Sequence, residues 1–144
     1  MQVRFLSFSC YAPLFNFCSR AYLLLVFTGV LIDGKLSQKH SPEEFDTVIG
    51  TNLRGPWLVA NEIARQWMLK NGGNIVMVSS ITARRPVAGS ISYLSAKAGL
   101  DHMTKTLALE WAPKRIRVNS LAPGYVLTDL VNHIFLEEDG ESLD

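Results

Sequence analysis

Residues 74–99 read NIVMVSSITARRPVAGSISYLSAKAG, and this stretch decides the fold. It opens with an apolar run that ends in two serines, which is typical of a strand buried in a parallel sheet. After a loop, Ser90 opens a helix that we predict to run to about Trp111. One face of this helix carries a stripe of apolar side chains, namely Ala96, Leu100, Met103, Leu107 and Trp111.

Two more apolar runs predict strands on either side of this one. The run YLLLVFTGV at residues 22–30 ends in glycine, and IRVNSLAPG at residues 116–124 ends in Pro-Gly. The composition of the first run favours a strand that is covered on both faces, as in a parallel sheet.

Helices are predicted between the first two strands. Ser41 can cap a helix, Pro42 suits its first position, and Glu44 completes a capping box. Asn52 interrupts the pattern, and a second helix is expected to start near Gly55. This helix has one apolar stripe, made of Val59, Ala60, Ile63, Ala64 and Trp67.

The predicted order is strand, helices, strand, helix, strand. Strands separated by such helices are parallel and joined by right-handed crossovers. The fold class is therefore α/β, a doubly wound parallel sheet or part of one. Ligands bind such sheets beyond the carboxyl ends of the strands, where Gly29, the pair Ser79-Ser80 and the pair Pro123-Gly124 are expected to meet.

Composition excludes several classes of function. The chain has 144 residues, enough for one domain, and a formal net charge of +1 without a basic block, so nucleic acid is not an expected partner. The two cysteines indicate neither a disulfide framework nor a zinc site. The three histidines are scattered and suggest no metal.

The N-terminal region is apolar but irregular. Its uninterrupted apolar part, residues 21–32, is too short for a bilayer span, which needs about 20 residues, so no membrane association is expected. We predict an irregular leader at residues 1–20 and one partial catalytic domain at residues 21–144. A cytoplasmic location is expected, with organellar or secretory targeting by the apolar N-terminus as the alternative.

Tyr93 and Lys97 are four residues apart and share one helix face. An adjacent ammonium favours the phenolate and lowers the pKa of a tyrosine, which can then act as a general acid or base. The alternative is a surface tyrosine beside a solvated lysine. Ser80, at the end of the preceding strand, could bind the same substrate oxygen as Tyr93, or could simply cap a backbone group.

Two other features allow two interpretations each. Asn52, between two helical segments, could hold a water molecule or serve as a helix stop. Arg84 and Arg85, in the loop before the last helix, could bind an anionic substrate or be solvated.

Taken together, the motifs resemble the short-chain dehydrogenase/reductase family, in particular its 3-oxoacyl-acyl-carrier-protein reductase-like members. TNLRGPW (residues 51–57) is similar to the family's asparagine segment, IVMVSS (75–80) with YLSAK (93–97) to its serine strand and Tyr-x-x-x-Lys helix, and RIRVNSLAPGYVLTD (115–129) to its Pro-Gly strand end. The resemblance covers about residues 29–130. It implies a partial Rossmann-type sheet that retains strands 4, 5 and 6 of the family fold.

The resemblance also implies a chemistry, in which hydride passes between NAD or NADP and a small-molecule carbonyl/alcohol substrate. Tyr93 is then the catalytic acid/base, Ser80 polarises the substrate oxygen, Lys97 lowers the tyrosine pKa and binds ribose hydroxyls, and Asn52 holds a proton-relay water. The remaining cofactor-binding positions are Gly29, Pro123, Gly124, Val126 and Thr128.

The sequence departs from the family at both ends. It lacks the glycine-rich turn that cradles the cofactor pyrophosphate, and Phe27 stands where it is expected to crowd the adenosine side. The alternative hypothesis is a catalytically inactive fragment that associates with full-length relatives through its two long helices, at about residues 56–70 and 93–110. As an enzyme, the chain is expected to be a homo-oligomer.

Overall fold

The computed structural model describes residues 23–32 and 34–126. The predicted leader, both cysteines, His133 and Thr128 lie outside the described residues.

The described strands form one parallel sheet in the order β1-β2-β3. They are β1 (Leu23–Val26), β2 (Gly73–Val78) and β3 (Ile116–Leu121). In the register of the sheet, Leu24 pairs with Ile75, which pairs with Val118. The predicted α/β class and parallel pairing are confirmed. The first strand is shorter than the apolar run suggested.

The first crossover is helical from Pro42 to Asn71. It contains α1 (Pro42–Ile49), a π-helical turn (Gly50–Arg54), α2 (Gly55–Ile63), a second π-helical turn (Ala64–Met68) and α3 (Leu69–Asn71). The predicted capping box is present, because the Ser41 side chain accepts from the Glu44 amide and Glu44 accepts from the Ser41 amide. The predicted helix stop at Asn52 is wrong, since the helix passes through it as a π turn.

The second crossover carries the long helix. A short 3-10 turn (Ile81–Ala83) follows β2, α4 spans Ile91–Trp111, and a second 3-10 turn (Ala112–Lys114) leads into β3. The apolar stripe of α4 faces the sheet as predicted, with Ala96, Leu100 and Leu107 buried. Trp67, by contrast, is predicted to lie on the apolar stripe of the preceding helix but is 43% exposed.

Both crossovers cover the same face of the sheet. Val26, Met77 and Val118 point to this face and form the core with side chains from α2, the second π turn and α4. On the opposite face, Leu23 and Leu25 are 66% and 56% exposed. The expectation that the first strand is covered on both faces is therefore wrong for the described residues, since the described helices supply only one layer.

Candidate active site

Tyr93 and Ser80 meet at the carboxyl end of β2. Tyr93 lies in the first turn of α4, with its phenol close enough to the Ser80 side chain for the two hydroxyls to interact. Burial raises the pKa of Tyr93, and the interaction with Ser80 offsets part of this rise. The phenol is consequently kept in its protonated, proton-donating form at neutral pH.

Ser80 also caps the 3-10 turn that follows it. Its Oγ accepts a hydrogen bond from the Thr82 amide at 3.2 Å and shares another with Thr82 Oγ1 at 2.8 Å. The interpretation of Ser80 as the cap of a backbone group is therefore confirmed, and its binding of a substrate oxygen stays a prediction. The cap orients the hydroxyl, and the oriented hydroxyl contacts Tyr93.

Lys97 lies one turn beyond Tyr93 and is almost completely buried, with 2% of its surface exposed. Its Nζ donates to the carbonyl oxygens of Thr28 at 2.9 Å and Val78 at 3.0 Å, and lies 5.6 Å from the centroid of the Tyr93 ring. Desolvation lowers the pKa of Lys97 to about 8.

Lys97 does not lower the pKa of Tyr93 below its ordinary value, which is the effect expected from the sequence. The pKa of Tyr93 is raised and not lowered, because burial of the phenol dominates. The bonds of the ammonium are directed at two strand-end carbonyls, and it approaches the ring of Tyr93.

Asn52 contacts the segment after β1. Its Oδ1 accepts from the Val30 amide at 2.8 Å and its Nδ2 donates to the Val30 carbonyl at 2.7 Å. The side chain is fully buried. These two bonds tie the segment after β1 to the first π turn, and the side chain makes no described bond to Lys97.

The remaining predicted residues within the described ranges follow the strand ends. The Pro123 carbonyl accepts from the Ile81 amide at 2.9 Å, which joins the segment after β3 to the turn after Ser80. A Cβ added to Gly124 would meet open space, and Val126 is exposed. Gly29 lies in the segment after β1, next to Thr28, whose carbonyl binds Lys97.

The described site fits the nicotinamide half of NAD or NADP. An ammonium has three N–H donors, and Lys97 gives two of them to carbonyls, so one is left for a ribose hydroxyl. Thr28, whose carbonyl binds Lys97, also carries a buried hydroxyl without a hydrogen-bond partner. Such an atom is suited to a polar ligand.

Sequence reasoning missed Asp101. This carboxylate lies on α4, one turn beyond Lys97, and is buried. Ser120 Oγ donates to its Oδ1 at 2.6 Å, and Arg84 Nε donates to its Oδ2 at 3.3 Å. The available signal was its position four residues after Lys97, which places it on the same helix face.

Other kinds of site are not found in the described part of the chain. Within residues 23–32 and 34–126, no cluster of three or more side chains could bind a metal ion. In the same residues, no helix combines the length and the apolar character required to cross a bilayer.

Comparison with known sequences identifies relatives of this chain. A family model described as short chain dehydrogenase matches residues 22–139. The chain is 36% identical over 109 residues to a 3-oxoacyl-[acyl-carrier-protein] reductase of Chlamydia pneumoniae, covering 76% of this chain and 44% of that protein. It is also 36% identical over 99 residues to the human dehydrogenase/reductase SDR family member 4, covering 69% of this chain and 36% of the relative.

Solved structures show the same likeness. A 4-hydroxyisoleucine dehydrogenase complexed with NADH superimposes with a TM-score of 0.75 at 29% identity, covering 81% of this chain and 48% of that one. A citronellol catabolism dehydrogenase of Pseudomonas aeruginosa gives 0.67 at 33% identity, with 74% and 42% covered. The chain thus spans less than half the length of these relatives. It belongs to the short-chain dehydrogenase/reductase family, with the Rossmann-type, NAD(P)-binding architecture of that family.

Proposed function

We propose that this chain carries the catalytic half of an NAD(P)-dependent oxidoreductase that interconverts a carbonyl and an alcohol. The observation that carries the proposal is the contact between the Tyr93 phenol and the Ser80 hydroxyl, with the Lys97 ammonium 5.6 Å from the tyrosine ring. The three groups come from two segments and meet at the carboxyl ends of β1 and β2.

Each residue has a distinct role in this proposal. Tyr93 donates a proton to the substrate oxygen during reduction, and its raised pKa keeps that proton in place until the oxygen becomes basic. Ser80, oriented by the Thr82 amide, donates a hydrogen bond to the same oxygen. Lys97 binds the ribose through its remaining N–H. Its positive charge stabilises the phenolate that is left after Tyr93 has donated its proton. Asn52 fixes the segment after β1 through its two bonds to Val30.

The bound cofactor would supply the hydride, and the residues that would hold its nicotinamide half are Gly29, Lys97, Pro123, Gly124, Val126 and Thr128. NAD and NADP both remain candidates. The substrate is a small-molecule carbonyl or alcohol. We place the chain in the cytoplasm and treat residues 21–144 as one partial catalytic domain.

Turnover by the full chain tests the proposal. NADH and NADPH are each mixed with a panel of carbonyl compounds, and oxidation of the cofactor is followed by its absorbance. Replacing Tyr93 with Phe should lower the rate about 10²- to 10⁴-fold, the usual contribution of a general acid. Ser95→Ala, at an exposed serine of the same helix, should leave it unchanged. A chain without turnover on any compound would refute the proposal.

The second candidate function is association with full-length relatives through the two long helices. It is favoured by exposed apolar side chains on these helices, Leu58 on α2 and Leu109 on α4, the latter 79% exposed. Co-expression with a full-length relative tests it. The pair should purify together, and Leu109→Lys should separate them. A chain that elutes apart from every relative would exclude this candidate.

A further inference from the structure

The buried carboxylate of Asp101 connects four segments of the chain. Asp101 itself lies on α4, Ser120 on β3, Ser79 directly after β2, and Arg84 in the loop before α4. The Ser120 hydroxyl donates to Oδ1 at 2.6 Å. The Ser79 hydroxyl donates to the Lys97 carbonyl at 3.2 Å and lies close enough to the carboxylate to help lower its pKa. Arg84 Nε donates to Oδ2 at 3.3 Å and forms an ion pair with it.

These contacts lie directly behind the proposed catalytic pair. Ser79 precedes Ser80, and its Oγ is also within 3.2 Å of the Lys97 carbonyl. Because side chains alternate along an extended segment, Ser79 points toward α4 while Ser80 is left to contact Tyr93 and Thr82. On one side, Ser79, the neighbour of Ser80, therefore lies beside the carboxylate and is bonded to the Lys97 carbonyl of the same helix.

On the other side, the carboxylate binds the end of the turn that Ser80 caps. Arg84 follows the 3-10 turn Ile81–Ala83, and its amide donates to the Ile81 carbonyl at 3.1 Å. The carboxylate is largely buried, with 10% of its side chain exposed, whereas the Arg84 side chain is 71% exposed. The arginine thus reaches from the surface loop back to a fixed anion in the helix.

We propose that Asp101 is a positioning residue that holds the Ser80 segment against α4 through Ser79, Ser120 and Arg84. The ion pair stands on its own contacts, whereas the catalytic use of the Ser80 segment rests on the proposed function above. Arg84 is in this view a structural anchor of the loop and not a binding group for an anionic substrate.

Limited digestion of the full chain with trypsin tests the anchor directly. Trypsin must take the Arg84 side chain into its specificity pocket to cut before Arg85, so this side chain has to leave Asp101 first. Asp101→Asn should speed cleavage after Arg84 about two- to fivefold, the range for a partly exposed ion pair. Cleavage after the exposed Lys39 in the same digest is the internal control.

Hydrogen exchange separates positioning from general stabilisation. Arg84→Gln should speed exchange of the Thr82, Ala83 and Arg84 amides, and Arg84→Lys should restore most of the protection because it keeps the charge. Ser120→Ala, which removes one bond to the carboxylate but leaves both ion-pair partners in place, should speed cleavage after Arg84 less than Asp101→Asn does. The variants at Arg84 also test the proposal if Asp101→Asn fails to fold.

The proposal is overturned if the Asp101 and Arg84 variants leave cleavage and exchange of this turn unchanged. It is also overturned if they speed exchange evenly throughout α4 and β3, which is the signature of a general loss of stability. Since neither readout requires turnover, an inactive chain with the expected loosening would refute the proposed function and leave the anchor intact.

Discussion

Lys97 is the residue at which burial and chemistry conflict most directly. Its ammonium is taken out of water and compensated by two carbonyl dipoles and an aromatic ring, but by no carboxylate within the described bonds. The two carbonyls accept two of its three N–H groups without neutralising its charge. The lowered pKa of about 8 is the measure of that incomplete compensation.

Stability should consequently depend on pH through Lys97. The folded chain releases this proton near pH 8, whereas the unfolded chain keeps it until about pH 10.4. Between these values the unfolded state binds more protons, so the free energy of unfolding should rise with pH, by about 2 kcal/mol from pH 8 to pH 10. Urea unfolding at pH 7, 8, 9 and 10 measures it.

Two variants isolate the lysine in that series. Lys97→Met should flatten the rise, while Lys105→Met, at an exposed lysine of the same helix, should preserve it. The series stops at pH 10 because the raised pKa of Tyr93 acts with the opposite sign above that value. An unchanged slope in Lys97→Met would contradict the assignment.

Asn52 should contribute stability through its two bonds to Val30. Asn52→Ala removes both and leaves a buried backbone N–H and C=O without partners, which should cost about 3 kcal/mol. Asn71→Ala removes one exposed amide bond, to the Trp67 carbonyl, and should cost under about 1 kcal/mol. If both variants lose the same free energy of unfolding in chemical denaturation, the buried bonds to Val30 stabilise the fold no more than the exposed bond does.

The sequence predicted which residues form the site better than it predicted how deeply their side chains are buried. The spacing of Tyr93 and Lys97 on one helix face follows from helical periodicity, and the contact of Tyr93 with Ser80 follows from the strand end preceding that helix. The direction of the Tyr93 pKa shift depends on how deeply the phenol is buried, and no local pattern encodes that depth. The hydrogen bonds of Asp101 likewise join residues up to 19 positions apart.

At the scale of elements, the sequence signals at helix ends proved the most informative. The capping box at Ser41 follows from local chemistry alone and is present in the structure. Continuity through Asn52 was missed, because whether an asparagine stops a helix depends on what its amide bonds elsewhere. Here it bonds Val30, 22 residues away, and the helix absorbs the position as a π turn.

The turn from α3 into β2 should be the least tolerant of the described glycine turns. Gly72 has φ 77° and ψ −178°, a conformation that is essentially restricted to glycine. A Cβ there would also lie 3.0 Å from the Arg115 carbonyl oxygen, which belongs to rigid backbone. Gly72→Ala should therefore lower the free energy of unfolding by about 2–4 kcal/mol.

Gly34→Ala provides the matched control for that change. Gly34 also has a positive φ, of 73°, but a Cβ added to it meets nothing within 4 Å. Its alanine variant should cost about 1 kcal/mol, since it has the conformational penalty without the clash. If both variants unfold at the same denaturant concentration, the Arg115 contact is not limiting.

The whole molecule is a two-layer structure in its described part, with helices on one face of the sheet. The open face presents Leu23 and Leu25 from β1, together with the exposed Phe27. β1 is also the end strand of the described sheet order. An exposed apolar strand at a sheet edge is a template for association with other chains.

The open face and the helix face should therefore drive different kinds of association. Leu25→Lys places a charge on the open sheet face, where the side chain is 56% exposed, and should reduce concentration-dependent aggregation measured by light scattering. Leu109→Lys, on the helix face, should leave aggregation unchanged and weaken co-purification with a full-length relative. Aggregation that persists in Leu25→Lys but disappears in Leu109→Lys would assign both kinds of contact to the helices. The exposed apolar residues of the open sheet face would then not drive association in solution.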